Sequence, residues 1–309
     1  MENFKIGLLE FGLRSGMNSL QIVNDVIEYA QKADELGFSR FWLAEHHFPN
    51  QRRAWSCPTP LVPILAAATN KIKIGTAGIL LGIHNPYHVA SDYKLLANLF
   101  PHRIDLGIAN GAIQDKVALR TTGLPTFKEV RKTFDKKSKE LVEILRNEDD
   151  LYNVDYGLVI PPFKGKLPEL WTLSTSAKGI HRAIDLGANF CRSIFHDGAD
   201  LTHDKELIAE YRETFESIYG RKPVFSLAVH GFCSEDSTIV NSLRKDYEEK
   251  PKGWIIGEPD DFFEQAMILS ENYGGIDELI VLEVGEKSIH RMESLELISE
   301  IFSHNLEYI

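Results

Sequence analysis

A chain of 309 residues, 43% hydrophobic and 26% charged, can bury a large core and is not expected to be disordered; α/β barrels reach this length as one unit. Its formal net charge of −11 disfavours nucleic acid or an anionic membrane surface as the general partner, because a polyanion has to meet clustered Lys and Arg. The opening "MENFKIGLLEFG" has no basic leader before a long apolar segment, and no apolar run nears about twenty residues, so a cytoplasmic protein is expected.

Short apolar runs alternate with stretches of helical period, the pattern of βα units around a parallel sheet. "FKIGLLEFG" reads as the first strand. The helix "SLQIVNDVIEYAQKADELG" follows, with Ile22, Val26, Tyr29, Ala33 and Leu36 at helical spacing and Gly37 as its stop. "SRFWLAEHH" is the second strand, "TPLVPILAAATN" a helix and "KIKIGTAGILL" the third strand. The helix "HVASDYKLLANLF" then leads into the fourth strand, "RIDLGIANG". Residues 112–125, rich in Gly and Thr, are expected to form a loop. "FKEVRKTFDKKSKELVEILRNED" reads as a long helix with a solvated charged face. A small excursion over 151–169 precedes the fifth strand, "LWTLSTS". "AKGIHRAIDLG", "ANFCRSIF", "HDKELIAEYRETFESIYG" and "KPVFSLAVHGF" supply helix, strand, helix and strand. Helical stretches over 237–249 and 259–273 come before the eighth strand, "IDELIVLEV", and "SIHRMESLELISEIF" closes the chain. Eight strands alternating with helices predict an α/β fold, a single (β/α)8 TIM barrel over 1–309 with a loop inserted after strand four. The doubly wound alternative loses support because no GxGxxG follows the first strand, and there is no P-loop or internal repeat.

In such a barrel the chemistry sits at the C-terminal ends of the strands. Glu45, His46 and His47 occupy one such end. Asn110 follows strand four, Ser174 and Thr175 strand five, His196 strand six, and His230 lies near the end of strand seven. Adjacent imidazoles beside an acid need partners if they are buried, whereas lone His196 and His230 read first as structural residues. Two chemistries are open. A metal reading takes His46 or His47 with His196 and His230 as ligands and Glu45 orienting one of them, but the HxH that barrel hydrolases carry on strand one is missing from "LLEFG". The favoured reading has no metal: one histidine near neutral pKa moves a proton, and Glu45 or a backbone group fixes its tautomer.

"GTAG" (75–78) either lets a flat ligand approach the backbone or is an ordinary bulge. "STSAKG" (174–179) either combines hydroxyls with a helix start to hold a phosphate or is a plain N-cap. Phe11, Phe48, Trp55 and Phe195 are candidates for an apolar wall, and Cys57, Cys191 and Cys233 are spaced as isolated thiols.

Taken in order, "FWLAEHHF", "KIKIGTAGILLGIHNPYHVASDYKLLANLFPHRIDLGIANG", "LSTSAKGIHRAIDLG" and "IIGEPDDFFEQAMILSENYGGIDELIVLEV" resemble the bacterial luciferase-like family of flavin-dependent monooxygenases. The resemblance implies a barrel that binds reduced FMN, reacts it with O2 to a C4a-peroxyflavin and oxygenates a small organic substrate. Some relatives use the deazaflavin F420 instead. By position His46 matches the family's catalytic histidine and His47 its pocket neighbour, with Glu45 in support. The Ala77–Gly78 bond matches a non-prolyl cis peptide beneath the flavin; Thr76, Ala77 and Gly78 would face the ring, and Ser174 and Thr175 would hold the phosphate. One departure stands out: "GIANG" puts Asn110 where many relatives carry arginine, and asparagine cannot give the bidentate charged contact. Lys178 or Arg182 would have to compensate, so weak, exchangeable flavin binding with a separate reductase is expected. The resemblance also implies a homodimer through the helices flanking strands two and three, or a heterodimer in which one chain is inactive. The loop 112–125 would be a lid that keeps water out.

Overall fold

A computed structural model describes residues 4–47, 53–111, 113, 116–121, 123, 126–153, 157–196, 204–248 and 253–306. The sheet is built from β1 (Lys5–Glu10), β2 (Arg40–Leu43), β3 (Lys73–Ile79), β4 (Ile104–Ala109), β5 (Glu169–Ser174), β6 (Asn189–Ser193), β7 (Phe225–Cys233), β8 (Trp254–Gly257) and β9 (Glu278–Glu283). All pairings are parallel. β1 to β7 follow one another, and β9 closes the barrel by pairing with both β7 and β1. These eight strands are the barrel that the alternation of apolar runs predicts.

The ninth, β8, was not among the expected strands. It pairs with the last four residues of β7, His230–Cys233, beyond the point where β6 leaves that edge. Four residues, "WIIG", make too short a run to register as an element of their own.

The helices are α1 (Ser19–Glu35), α2 (Val62–Ala68), α3 (Pro86–Leu99), α4 (Lys116–Thr121), α5 (Phe127–Arg146), α6 (Glu148–Tyr152), α7 (Ile180–Leu186), α8 (Asp204–Tyr219), α9 (Ser237–Tyr247), α10 (Pro259–Asn272) and α11 (Ser288–Leu306). Local chemistry sets their limits. Asn18 caps α1 by accepting from the Leu20 and Gln21 amides while the Gln21 side chain accepts from the Asn18 amide, and Gly37, at φ 84°, lies just past its end. α5 buries Val130, Phe134, Ser138, Leu141 and Leu145 at helical spacing and leaves most of its cations outside, as expected of its charged face, with Lys137 half-buried. Part of the expected loop over 112–125 is helical, since α4 lies within it.

Two apolar layers result. Phe41, Ile74, Leu106, Phe190 and Val281 face the helices, while Leu9, Trp42, Trp171, Cys191, Ala228 and Ile280 fill the barrel interior. At the N-terminal mouth the interior is plugged by Arg40, which is 4% exposed and ion-paired with Asp105 (2.7 Å) and Glu278 (2.5 Å). The opposite mouth is open. No described helix is long and apolar enough to cross a membrane.

Candidate active site

A cavity of about 370 Å³ opens at the C-terminal ends of the strands. Strand residues Leu9, Trp42, Leu173, Cys191, Ala228 and Ile280 make its apolar base. Its rim carries Phe11, Glu45, His46, Ala77, Gly78, Leu80, Asn110, Arg131, Ser174, Thr175, Arg182, Phe195 and His196. Its volume lies within the range of about 300–1,000 Å³ of small-molecule sites. The Ala77–Gly78 peptide is cis, and the register of β3 against β4 shifts between Thr76 and Ile79. The expected cis bond and the alternative of a bulge thus coincide. Gly78 has no room for a side chain: a Cβ there would lie 2.8 Å from Leu173 Cδ1 and 3.0 Å from the Gly107 carbonyl oxygen. Thr76 is fully buried one residue before this pair, where its hydroxyl accepts from Tyr93, and it does not line the cavity.

The three residues of "EHH" take different places because they leave β2 as a turning segment. Glu45 is 2% exposed, and its carboxylate accepts from His47 Nε2 and His84 Nε2 at Oε1, both at 2.7 Å, and from the Leu80 amide at Oε2, at 3.0 Å. Burial alone would raise its pKa, but these donors outweigh it and hold the carboxyl at about 2. His47 is therefore spent on Glu45 and does not reach the cavity. His46 does. Its amide donates to the Ser56 carbonyl at 3.1 Å, and its ring packs edge-on against Phe11 at 4.6 Å. Burial, and after it the positive charge of Arg53 and His196, lowers the imidazole to about 4, so it is neutral at physiological pH.

His196 also lines the cavity; its Nδ1 lies 2.7 Å from Ser193 Oγ, and its ring stacks on Phe195. His230 is inside β7, stacked on Phe195 and edge-on to Tyr247, and is not a cavity residue. Trp55 donates its indole N–H to the Ala44 carbonyl and packs over Gly12, so its role is to hold the loop. Phe48 lies outside the described residues.

Away from His46 the rim is hydroxylic and cationic. Ser174 and Thr175 end β5 there, Asn110 follows β4, and arginines come from two helices, Arg131 on α5 and Arg182 on α7. Arg182 is braced by Asp135 (2.7 Å) and lies over the Phe134 ring. Lys178 is exposed and turns instead into a neighbouring cleft with Asp135 and His181, so it is not brought to the cavity. The expected helix start after Ser174 is a three-residue 3-10 turn running into the seven-residue α7, too short for a macrodipole argument; the hydroxyls and arginines remain.

Sequence reasoning missed Arg131 and His84. Both are single polar residues in segments whose facing depends on tertiary packing.

The metal alternative finds different residues from those expected. Among the described residues, the group of donors close enough to hold an ion is Glu45, Cys57 and His84, with atoms within 4.8 Å of one another; His46, His196 and His230 form no such group. Glu45 already takes three hydrogen bonds there.

Comparison with known proteins places this geometry in context. The family model for luciferase-like monooxygenases matches residues 5–262. The N-acetyl-S-alkylcysteine monooxygenase of Bacillus subtilis (strain 168) is 33% identical over 207 residues, which span 65% of this chain and 58% of that protein. Among solved structures, monooxygenase RslO1 from Streptomyces bottropensis superposes with a TM-score of 0.81 at 17% identity, over 99% of this chain and 100% of that one. The oxygenating constituent of 3,6-diketocamphane monooxygenase from Pseudomonas putida, in complex with FMN, gives 0.72 at 19% identity over 98% and 99%. An F420-dependent secondary alcohol dehydrogenase gives 0.70 at 15% identity over 97% and 99%. At these identities the structures share the fold.

Proposed function

The chain belongs to the luciferase-like monooxygenase family, and from that premise we propose that it uses reduced FMN and O2 to oxygenate a small organic substrate at the C-terminal mouth of its barrel. The observation that carries the reading is the split polarity of the cavity: an apolar base with the small residues Ala77 and Gly78, a neutral imidazole on one side, and hydroxyls with two arginines at the rim. A flavin has the same division, a flat apolar ring at one end and a phosphate at the other. Ala77 and Gly78 would lie against the ring, while Ser174, Thr175, Arg131 and Arg182 would hold the phosphate. Bound, the reduced flavin supplies the electrons with which O2 is activated.

The chain's own residues supply the rest. Phe11, Leu80 and Phe195 exclude water from the reacting centre. His46, neutral and facing the cavity, accepts or returns a proton at a ring nitrogen. Glu45 and His47 hold the segment that carries it. Arg131 is exposed and Arg182 is shared with Asp135, so the phosphate contact is exchangeable, in keeping with reduced flavin arriving from a separate reductase. We extend the proposal to a homodimer through α2 and α3, which leave Ile64, Leu95 and Leu99 exposed.

Parallel titrations with FMN and F420, followed by turnover in 18O2 with a flavin reductase, test the reading. An N-acetyl-S-alkylcysteine is the first probe, because the 33% identical relative is a monooxygenase of that class. FMN binding with one labelled oxygen in the product is expected. Binding of F420 with no FMN binding would replace this reading by the deazaflavin one, FMN binding without labelled product would replace it by a non-catalytic flavin-binding partner subunit, and a chain that binds neither cofactor would overturn it.

A further inference from the structure

Glu45 borders the cavity, yet the three donors on its carboxylate come from the structure around it. The His47 contact is local, two residues along the chain. The His84 contact is not: it crosses 39 positions and arrives from the segment after β3. That segment is gripped from a second side by α5, where Lys137 Nζ donates to the carbonyls of Gly82 (2.6 Å) and His84 (2.8 Å). With its backbone anchored by Lys137, the His84 ring has one oxygen of Glu45 to bond, and the other oxygen takes the Leu80 amide. Leu80 stands two residues after Gly78, and its side chain fills the space beside Gly111, where a Cβ would come within 2.5 Å of Leu80 Cδ2. The chain of contacts therefore runs from α5 through His84 and Glu45 to the backbone that borders the cavity.

We propose that His84 is a positioning residue for the cofactor platform: by engaging Glu45 Oε1 it keeps Oε2 on the Leu80 amide and so fixes the Ala77–Leu80 backbone against which the flat ring rests, a role that depends on the flavin reading above. Without His84, a carboxylate 2% exposed loses one of its two imidazole donors. It then turns toward His47 or takes up a proton, and either change weakens the bond to Leu80.

The test compares His84→Leu, which keeps bulk and removes the donor, with His84→Gln, whose terminal amide reaches Glu45 as a donor. Hydrogen exchange of the Leu80 amide in the cofactor-free chain should rise about tenfold in His84→Leu, the effect of one lost bond to a charged group, and stay within about threefold of wild type in His84→Gln. The FMN dissociation constant should follow the same order, about tenfold weaker and then restored. Unchanged exchange in His84→Leu overturns the clamp; so does an equal rise in both variants, since the bond would not then be the cause. Faster exchange with an unchanged FMN constant overturns the positioning role. A wild-type chain that binds neither FMN nor F420 sinks the functional reading instead, whatever the exchange shows. Exchange across α8 is the fold control. If His84→Leu loosens that too, the pair His84→Asn and His84→Gln makes the same comparison, Asn being one methylene too short to reach.

Discussion

The two mouths of the barrel both bury charge, and they neutralise it in different ways. At the N-terminal mouth Arg40 sits between Asp105 and Glu278 with its guanidinium over the Trp171 ring at 4.3 Å, and Lys73 pairs with Glu169 alongside. Permanent cations face carboxylates. At the C-terminal mouth the buried carboxylate of Glu45 is matched by two imidazoles and an amide, and the next residue, His46, is a base held neutral beside a cavity. The lower arrangement closes a barrel, and there burial pushes the Asp105 carboxyl up to about 6 although Arg40 is beside it. The upper one keeps groups that take and release protons next to space for a ligand, an arrangement that stability alone does not require.

The strongest way to break the comparison is Arg40→Met. It leaves Asp105 and Glu278 buried without their cation, and a loss of about 3–5 kcal/mol in urea unfolding is expected, with flavin affinity of the remaining folded protein unchanged. If flavin affinity fell in proportion, the two mouths would not be separable in function.

Acid should act at the upper mouth. The imidazole of His46 has a pKa of about 4 in the fold against 6.5 as its ordinary value. Between these pH values the unfolded chain binds a proton that the folded chain refuses, so the His46 contribution to stability rises with pH across the window and falls on acidification by up to about 3 kcal/mol. Glu283 opposes this by about as much, because burial raises its carboxyl from 4.5 to about 7, and Asp105, raised from 3.8 to about 6, acts in the same direction; both contributions grow as pH falls. His46→Gln separates them: the change in unfolding stability from pH 7 to 4 should favour the variant over wild type. An identical slope would show that His46 is not held neutral.

His46→Ala is the complementary test, because it should lower turnover by about 100-fold while leaving flavin affinity and the fold nearly intact. Unchanged turnover would remove this imidazole from the chemistry.

How far these sites could be read from the sequence follows from how local their signals are. Glu45 and His46 are legible because they come directly after an apolar strand, and the barrel rule assigns such residues to the active mouth. The helix-facing and interior layers are legible as apolar runs. β8 is not, being four residues at the flank of β7. His84 is a lone histidine whose partner lies 39 positions away, so nothing near it in the chain announces the clamp. Lys178 misleads in the opposite sense: it neighbours Ser174 and Thr175 in sequence, but the 3-10 turn carries it toward α5. Arg131 is one of several cations on α5, and only the packing of that helix shows which one meets the cavity.

The two rim arginines sharpen the comparison within the upper mouth itself. Arg182 is braced by Asp135 at 2.7 Å in the manner of the lower network, whereas Arg131 is exposed at the cavity edge. The brace is itself open to water, so it should contribute no more than about 0.5 kcal/mol to stability. Arg131→Ala and Arg182→Ala should each weaken FMN binding about tenfold, as expected for one charged phosphate contact, with the loss shrinking at high salt. The pair should differ in what else moves: Arg182→Ala lowers unfolding stability slightly and Arg131→Ala leaves it unchanged. Riboflavin, which has the ring without the phosphate, is the control. If either variant weakens riboflavin as much as FMN, that arginine acts on the ring and not on the phosphate. If neither variant weakens FMN, the phosphate is held by Ser174 and Thr175 without them, and Asn110 would stand where no cation is needed.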